Sequence, residues 1–142
     1  MREFVYPAKF TPDKKDGGFV VTFRDIPEAI TQGETVEECL AAAAGALQAA
    51  LEGRIMSGLN ILAASKPKRG EHLIAVPVQT ALKAALYLAM QDLGITRVEL
   101  ARRLRIDEKE ARRMLDPHHP TKADRLEKAL AALGKHAELR VA

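Results

Sequence analysis

A single cysteine in 142 residues, Cys39, excludes an intramolecular disulfide and any metal site built from clustered cysteines. Its place inside an alanine-rich helical stretch marks it as a buried structural thiol. Tryptophan is absent and aromatics make up 4% of the chain, so the core must be largely aliphatic. No apolar run approaches the ~18–20 residues that a membrane span needs, and no apolar leader with a cleavage site opens the chain. A cytoplasmic protein without a membrane partner is expected. Phosphate-binding glycine loops are missing too: "DGG" and "GLN" lack both the spacing and the lysine. The four histidines, His72, His118, His119 and His136, form no i,i+4 metal pair, and Ser57 and Ser65 have no neighbouring base. No catalytic residue, metal or cofactor is expected, and nothing in the sequence makes a positive case for an enzyme.

What the chain does have is an uneven distribution of charge. Residues 1–70 carry nine Lys/Arg and nine Asp/Glu, while residues 71–142 carry thirteen and ten. The whole excess of +3 therefore lies in the second half, which favours an anionic partner there.

The N-terminal half reads as a small α+β unit. "EFVYPAKFTP" and "GFVVTFRDIP" flank Asp16-Gly17-Gly18, which is strong turn chemistry, so a β-hairpin is expected with a short third strand at Ala29–Gln32. Thr35 and Glu38 form a capping box that opens a helix, with Val36, Leu40, Ala43, Leu47, Ala50 and Leu51 on its inner face and Gly58 as its stop. The Pro, Gly and charge of "ASKPKRGEH" read as a linker, and "LIAVPV" as a short returning strand restricted by Pro77 to an edge. The expected division is 1–65 as one domain, 66–78 as linker and returning strand, and 79–142 as a helical domain. The latter holds helices at Gln79–Leu93 and Lys122–Leu133, and its tail "HAELRVA" alternates weakly, like a last strand.

Between those helices lies "TRVELARRLRIDEKEARRML". Thr96 with Glu99, and Asp107 with Glu110, are two capping boxes, which set helices at Arg97–Leu104 and Glu108–Leu115. Only three residues separate them, the short joint of a helix-turn-helix. Val98, Leu100, Ala101, Leu104, Ile106, Ala111, Met114 and Leu115 can face inward. A turn glycine would normally stand where Arg105 does, and a left-handed arginine there costs on the order of 1 kcal/mol. On the outer face, Glu108, Lys109, Arg112 and Arg113 suit a recognition helix in the major groove, where arginine pairs with guanine. Arg97, Arg102 and Arg103 on the preceding helix suit phosphate contact. The plainer alternative is a solvated face with an i,i+4 ion pair such as Glu108–Arg112.

The order of elements resembles the HicB family of antitoxins. Tyr6-Pro7, Gly17-Gly18-Phe19-Val20-Val21, Asp25-Ile26-Pro27, Thr31-Gln32-Gly33-Glu34-Thr35 and the alanine-rich helix run in the family's sequence, and Val98–Gly134 resembles its helix-turn-helix branch. The resemblance implies a partial RNase H-like N-terminal domain that binds HicA, a small mRNA-cleaving toxin. It also implies a C-terminal domain that represses the operon on operator DNA, and assembly into a homodimer or tetramer. An RNase H-type site needs carboxylates converging on two metal ions. "FVYPAKF" has none, and Asp25 and Glu38 are too few, so a scaffold without catalysis is expected. Asp25, Ile26, Pro27 and Glu28 near the strand ends are candidate toxin contacts. Two other readings stand beside this one: a free-standing transcriptional regulator with a ligand-sensing N-terminal domain, and an active nuclease with a DNA-targeting domain. The missing acidic cluster weighs against the second of these.

Overall fold

A computed structural model describes all residues, 1–142. The chain forms two compact units, Met1–Pro77 and Val78–Ala142. The first is a four-stranded antiparallel sheet with one long helix: β1 (Val5–Pro12), β2 (Phe19–Thr22), β3 (Ile30–Gly33), α1 (Val36–Met56) and β4 (His72–Ala75). The strand order is β3-β2-β1-β4. β1 divides its pairing, with Val5–Ala8 against β4 and Lys9–Pro12 against β2. Together with the five helices of the whole chain, this is the α+β arrangement expected from the sequence.

The β1–β2 turn is built as its residues dictate. Asp13 accepts the amides of Lys15 and Asp16 on its side chain, and Gly17 and Gly18 take positive φ. Gly18 also passes so close to β3 that a Cβ there would lie 2.4 Å from the Gly33 carbonyl oxygen. β3 begins one residue later than the expected Ala29 and ends at Gly33.

Helix α1 buries Ala43, Leu47 and Leu51 as the sequence reading expects, but its inner face departs from that reading at the first turns. Its buried row is Cys39, Ala43, Leu47, Leu51 and Ile55, at strict i,i+4 spacing, whereas Val36 and Leu40 are 41% and 39% exposed. The cause is the close approach of β3: a Cβ on Gly33 would stand 2.9 Å from the Cys39 sulfur, so a small side chain must sit at that contact. Burial pushes the Cys39 thiol pKa up, which suits an inert packing role.

The segment after α1 is pinned along its length. Arg2 donates to the Ile61 carbonyl, Arg54 to that of Asn60, and the Tyr6 hydroxyl to that of Leu62. Arg24 reaches the Lys66 carbonyl at 2.5 Å and pairs with both carboxylate oxygens of Glu71. β4 then completes the sheet. The stretch 66–77, expected as linker and returning strand, thus lies inside the first unit, and the next unit begins at Val78.

The Arg24 pair, helped by the Lys68 amide, holds the Glu71 carboxyl down from 4.5 to about 2. A carboxyl depressed in the folded state contributes stability above its ordinary pKa, and that contribution is lost as pH falls toward about 2. Thermal midpoints followed from pH 5 to pH 2 should therefore fall more steeply for the wild type than for Glu71→Gln. Parallel curves would show that the pair does nothing for the fold.

The second unit is all helical: α2 (Val78–Leu93), α3 (Arg97–Leu104), α4 (Glu108–Leu115) and α5 (Ala123–Ala132). Its core joins Leu86, Ala89 and Met90 of α2 to Leu100 of α3, Met114 of α4 and Leu126, Ala129 and Leu130 of α5. Val98 is not part of it and is 61% exposed. It lies about 110° around α3 from the centre of the Leu100–Ala101–Leu104 stripe. The tail "HAELRVA" forms no strand, contrary to expectation, and is exposed.

Candidate functional site

Helices α3 and α4 have the boundaries that their caps dictate. The Thr96 hydroxyl accepts the Glu99 amide at 3.2 Å, and the Asp107 carboxylate accepts the Glu110 amide at 2.7 Å. Only the first half of each capping box forms. The glutamate that would complete it turns away to an arginine: Glu99 holds Arg102 and Arg103, and Glu110 holds Arg125.

Three residues join the helices, and the joint turns on Arg105, the one non-glycine residue with positive φ (φ 55°, ψ 45°). The Arg105 amide donates to Arg102 and the Ile106 amide to Ala101, which closes the end of α3 in a Schellman motif. The same pair of bonds ends α1, α2 and α5, with glycine at the left-handed position each time: Gly58, Gly94 and Gly134. Arg105→Gly should therefore raise stability by a few tenths of a kcal/mol, about 1 kcal/mol of relieved strain less the ~0.4–1 kcal/mol lost to the greater freedom of glycine in the unfolded chain. A thermal midpoint that stays put or falls would show that the arginine is not strained.

Ala111 and Met114 bury the inner side of α4, and this leaves Glu108, Lys109, Arg112 and Arg113 exposed on the outer side. Glu108 bonds back to Arg97 of α3 at 3.1 Å, not to Arg112. The i,i+4 pair of the plainer reading is thus not made, and Lys109, Arg112 and Arg113 have no ion-pair partner on the chain. On α3, Arg102 and Arg103 are exposed but share the Glu99 carboxylate. The structure brings the seven sequence-derived positions together on two adjacent helices and sorts them: three unpaired cations on α4, three paired arginines on α3, and one carboxylate that ties the two helices.

One residue that sequence reasoning missed governs the end of α4. Lys83 of α2 is 2% exposed, and its ammonium donates to the carbonyls of Arg113 at 3.2 Å, Asp116 at 2.6 Å and His119. Burial pulls its pKa down, and Asp116 partly offsets this. A signal was present: Lys83 is the only charged residue between Val78 and Gln91, and it falls three residues after Thr80, on the buried stripe.

The four N-terminal candidates separate by burial. Asp25 is 6% exposed and accepts both the amide and the hydroxyl of Ser65, at 2.8 and 2.5 Å. Ile26 is fully buried. Pro27 and Glu28 remain on the surface, with Glu28 gripped by two nitrogens of Arg54 at 2.5 and 2.7 Å, which lowers its pKa. No group of three His, Cys, Asp or Glu side chains converges as a metal site. No helix is long and apolar enough to cross a membrane.

Known proteins similar to this chain carry antitoxin names. Residues 5–85 match the family described as HicB_like antitoxin of bacterial toxin-antitoxin system. The chain is 41% identical over 134 residues to Antitoxin HicB of Escherichia coli (strain K12), an alignment that covers 94% of this chain and 96% of that protein. It is 40% identical over 134 residues to Antitoxin HicB 2 of Photorhabdus laumondii, covering 94% of each. Antitoxin HicB of Pseudomonas fluorescens (strain Pf0-1) is 29% identical over 129 residues, 90% of this chain and 88% of that one. With one match spanning more than half the chain and alignments running through both compact units, the protein belongs to the HicB-like antitoxins of bacterial toxin–antitoxin systems.

Proposed function

We propose that this antitoxin binds and masks a HicA-type mRNA-cleaving toxin through its first unit, and represses its own operon in the cytoplasm by setting α4 in the major groove of operator DNA. The family match at residues 5–85 contains nearly all of the first unit and none of α3, α4 or α5, which supports assigning the toxin to the sheet and α1. The observation that carries the DNA half is the outer face of α4, where Lys109, Arg112 and Arg113 are exposed and unpaired while every nearby carboxylate is engaged elsewhere.

Masking requires only contact. A specific interface of ~1,200–2,000 Å² is enough to cover the active face of a very small protein. Asp25 and Ile26 hold the shape of the loop from within, and Pro27 and Glu28 are the members of that group offered to the toxin. The first unit is on this reading a partial RNase H-like scaffold used for binding. Its carboxylates are committed to other work, Asp25 to Ser65 and Glu38 to the Glu34 amide, instead of meeting at a two-metal site.

One α3–α4 pair gives too little contact for tight specific binding, so a homodimer or tetramer on a palindromic site is proposed, with half-sites about one helical turn apart. The exposed tail His136–Ala142 belongs in that assembly, where a second copy would supply the strand it lacks. Co-expression with a small basic protein encoded beside it, and a reporter driven by the promoter upstream of its own gene, test the two halves. Co-purification, rescue of growth and silencing of the reporter are the expected results. A toxin that is neither captured nor neutralised would overturn the first half, and an unaffected reporter the second.

A further inference from the structure

Among the five helices, α4 ends differently. The others close on a left-handed residue, but Asp116 after α4 is extended (φ −76°, ψ 114°). The extended backbone is what Pro117 imposes on the residue before it. The Asp116 amide closes on the Arg112 and Arg113 carbonyls, and the carbonyls of Arg113, Asp116 and His119 accept in addition from Lys83, from another helix and thirty or more residues earlier in the chain. Its three acceptors lie in the last turn of α4, at its cap and in the loop beyond. An ammonium has three protons to donate, so the match is complete.

Pro117 and the Asp116 amide end the helix locally but would leave it free to shift against α2. The buried ammonium does more, because three bonds from one point fix where the end of α4 lies on α2 and how it is rotated. Arg113 is itself one of the three residues held, and Arg112 is its neighbour. A positive charge at this end also opposes the negative pole of the helix.

We infer that Lys83 is a positioning residue for DNA reading: by holding the carbonyls of Arg113, Asp116 and His119 it sets the aim of the Arg112 and Arg113 side chains. This rests on the DNA-binding reading above. The separation from a purely stabilising role lies in specificity. Binding to DNA of any sequence needs only cations near phosphates and tolerates a loose helix, whereas base contacts need the helix in one place.

The test uses the full chain with Lys83→Met, which keeps the length and loses the donors, and Lys83→Gln, which keeps two donors and loses the charge. Binding to a duplex carrying the protein's own promoter is compared with binding to a shuffled duplex, at a temperature where circular dichroism shows each variant folded. Lys83→Met should lose at least tenfold in promoter affinity while shuffled-duplex affinity and its salt dependence stay within twofold of wild type, and Lys83→Gln should fall between. A folded variant of either kind with the wild-type ratio of the two affinities overturns the inference. So does loss of folding in both, which would leave Lys83 a role in stability alone. If the wild type shows no preference for the promoter, the DNA-binding reading itself fails.

Discussion

Arg112→Ala and Arg113→Ala should each weaken operator binding by about 5- to 150-fold, the ~1–3 kcal/mol worth of a bidentate base contact. At least one of them should also relax the preference for the base it meets. Neither guanidinium has a partner on the chain, so neither must be released before it binds. Arg102→Ala and Arg103→Ala should behave otherwise. Both share Glu99, and an exposed ion pair is worth only ~0.2–1 kcal/mol, so a phosphate can draw them away. Their loss should weaken binding to every sequence alike and flatten the log–log salt dependence by about 0.9 per contact. Titrations at several salt concentrations, on operator and shuffled duplexes, separate the two classes. Toxin capture should be unchanged in all four variants. Equal losses on both duplexes for Arg112 and Arg113 would reduce α4 to a phosphate-binding helix.

The second large effect concerns where the first unit ends. A fragment of residues 1–77 should fold and capture the toxin, and one ending at Lys66 should do neither. The shorter fragment loses β4, which pairs with Val5–Ala8, and the Val76 amide bond to the Phe4 carbonyl. It also loses the buried side chains of Ile74 and Val76 and the Glu71 anchor of Arg24. The two apolar side chains alone contribute ~3–6 kcal/mol at ~1.5–3 each. A small domain has a total stability of only ~5–15 kcal/mol, so this loss is decisive. Thermal unfolding followed by circular dichroism, with toxin pull-down, compares the two. A 1–66 fragment as stable as 1–77 would make β4 an accessory to the sheet, not part of it.

Much of the fold was legible because the signals were local. Asp16-Gly17-Gly18 marked the hairpin, and Thr96, Asp107 and the left-handed position of Arg105 marked the helix pair almost to the residue. What escaped depended on residues far apart in the chain. The face of α1 is set by Gly33 against Cys39, which periodicity in an alanine-rich helix cannot reveal, since nearly every position is apolar. Asp25 looked like a free acid at a strand end, yet its partner, Ser65, lies forty residues on. Val98 seemed interior because it is apolar, although its angle around α3 points it outward. A charged residue on a buried stripe, as at Lys83, reads as an error in the pattern until its three acceptors are seen.

The way α4 is finished also bears on how the protein is made. Eight residues are too few for a helix to persist alone in water, and although Asp116-Pro117 stops α4 at its end, the buried row that holds it, Ala111 and Met114, needs a partner to pack on. It can settle only against an α2 that is already formed. Synthesis runs in the helpful direction, since α2 leaves the ribosome before α4 and the lysine is waiting when its acceptors emerge. A circular permutant that placed α4 ahead of α2 would reverse this sequence, and its second unit should fold more slowly although every native contact is retained.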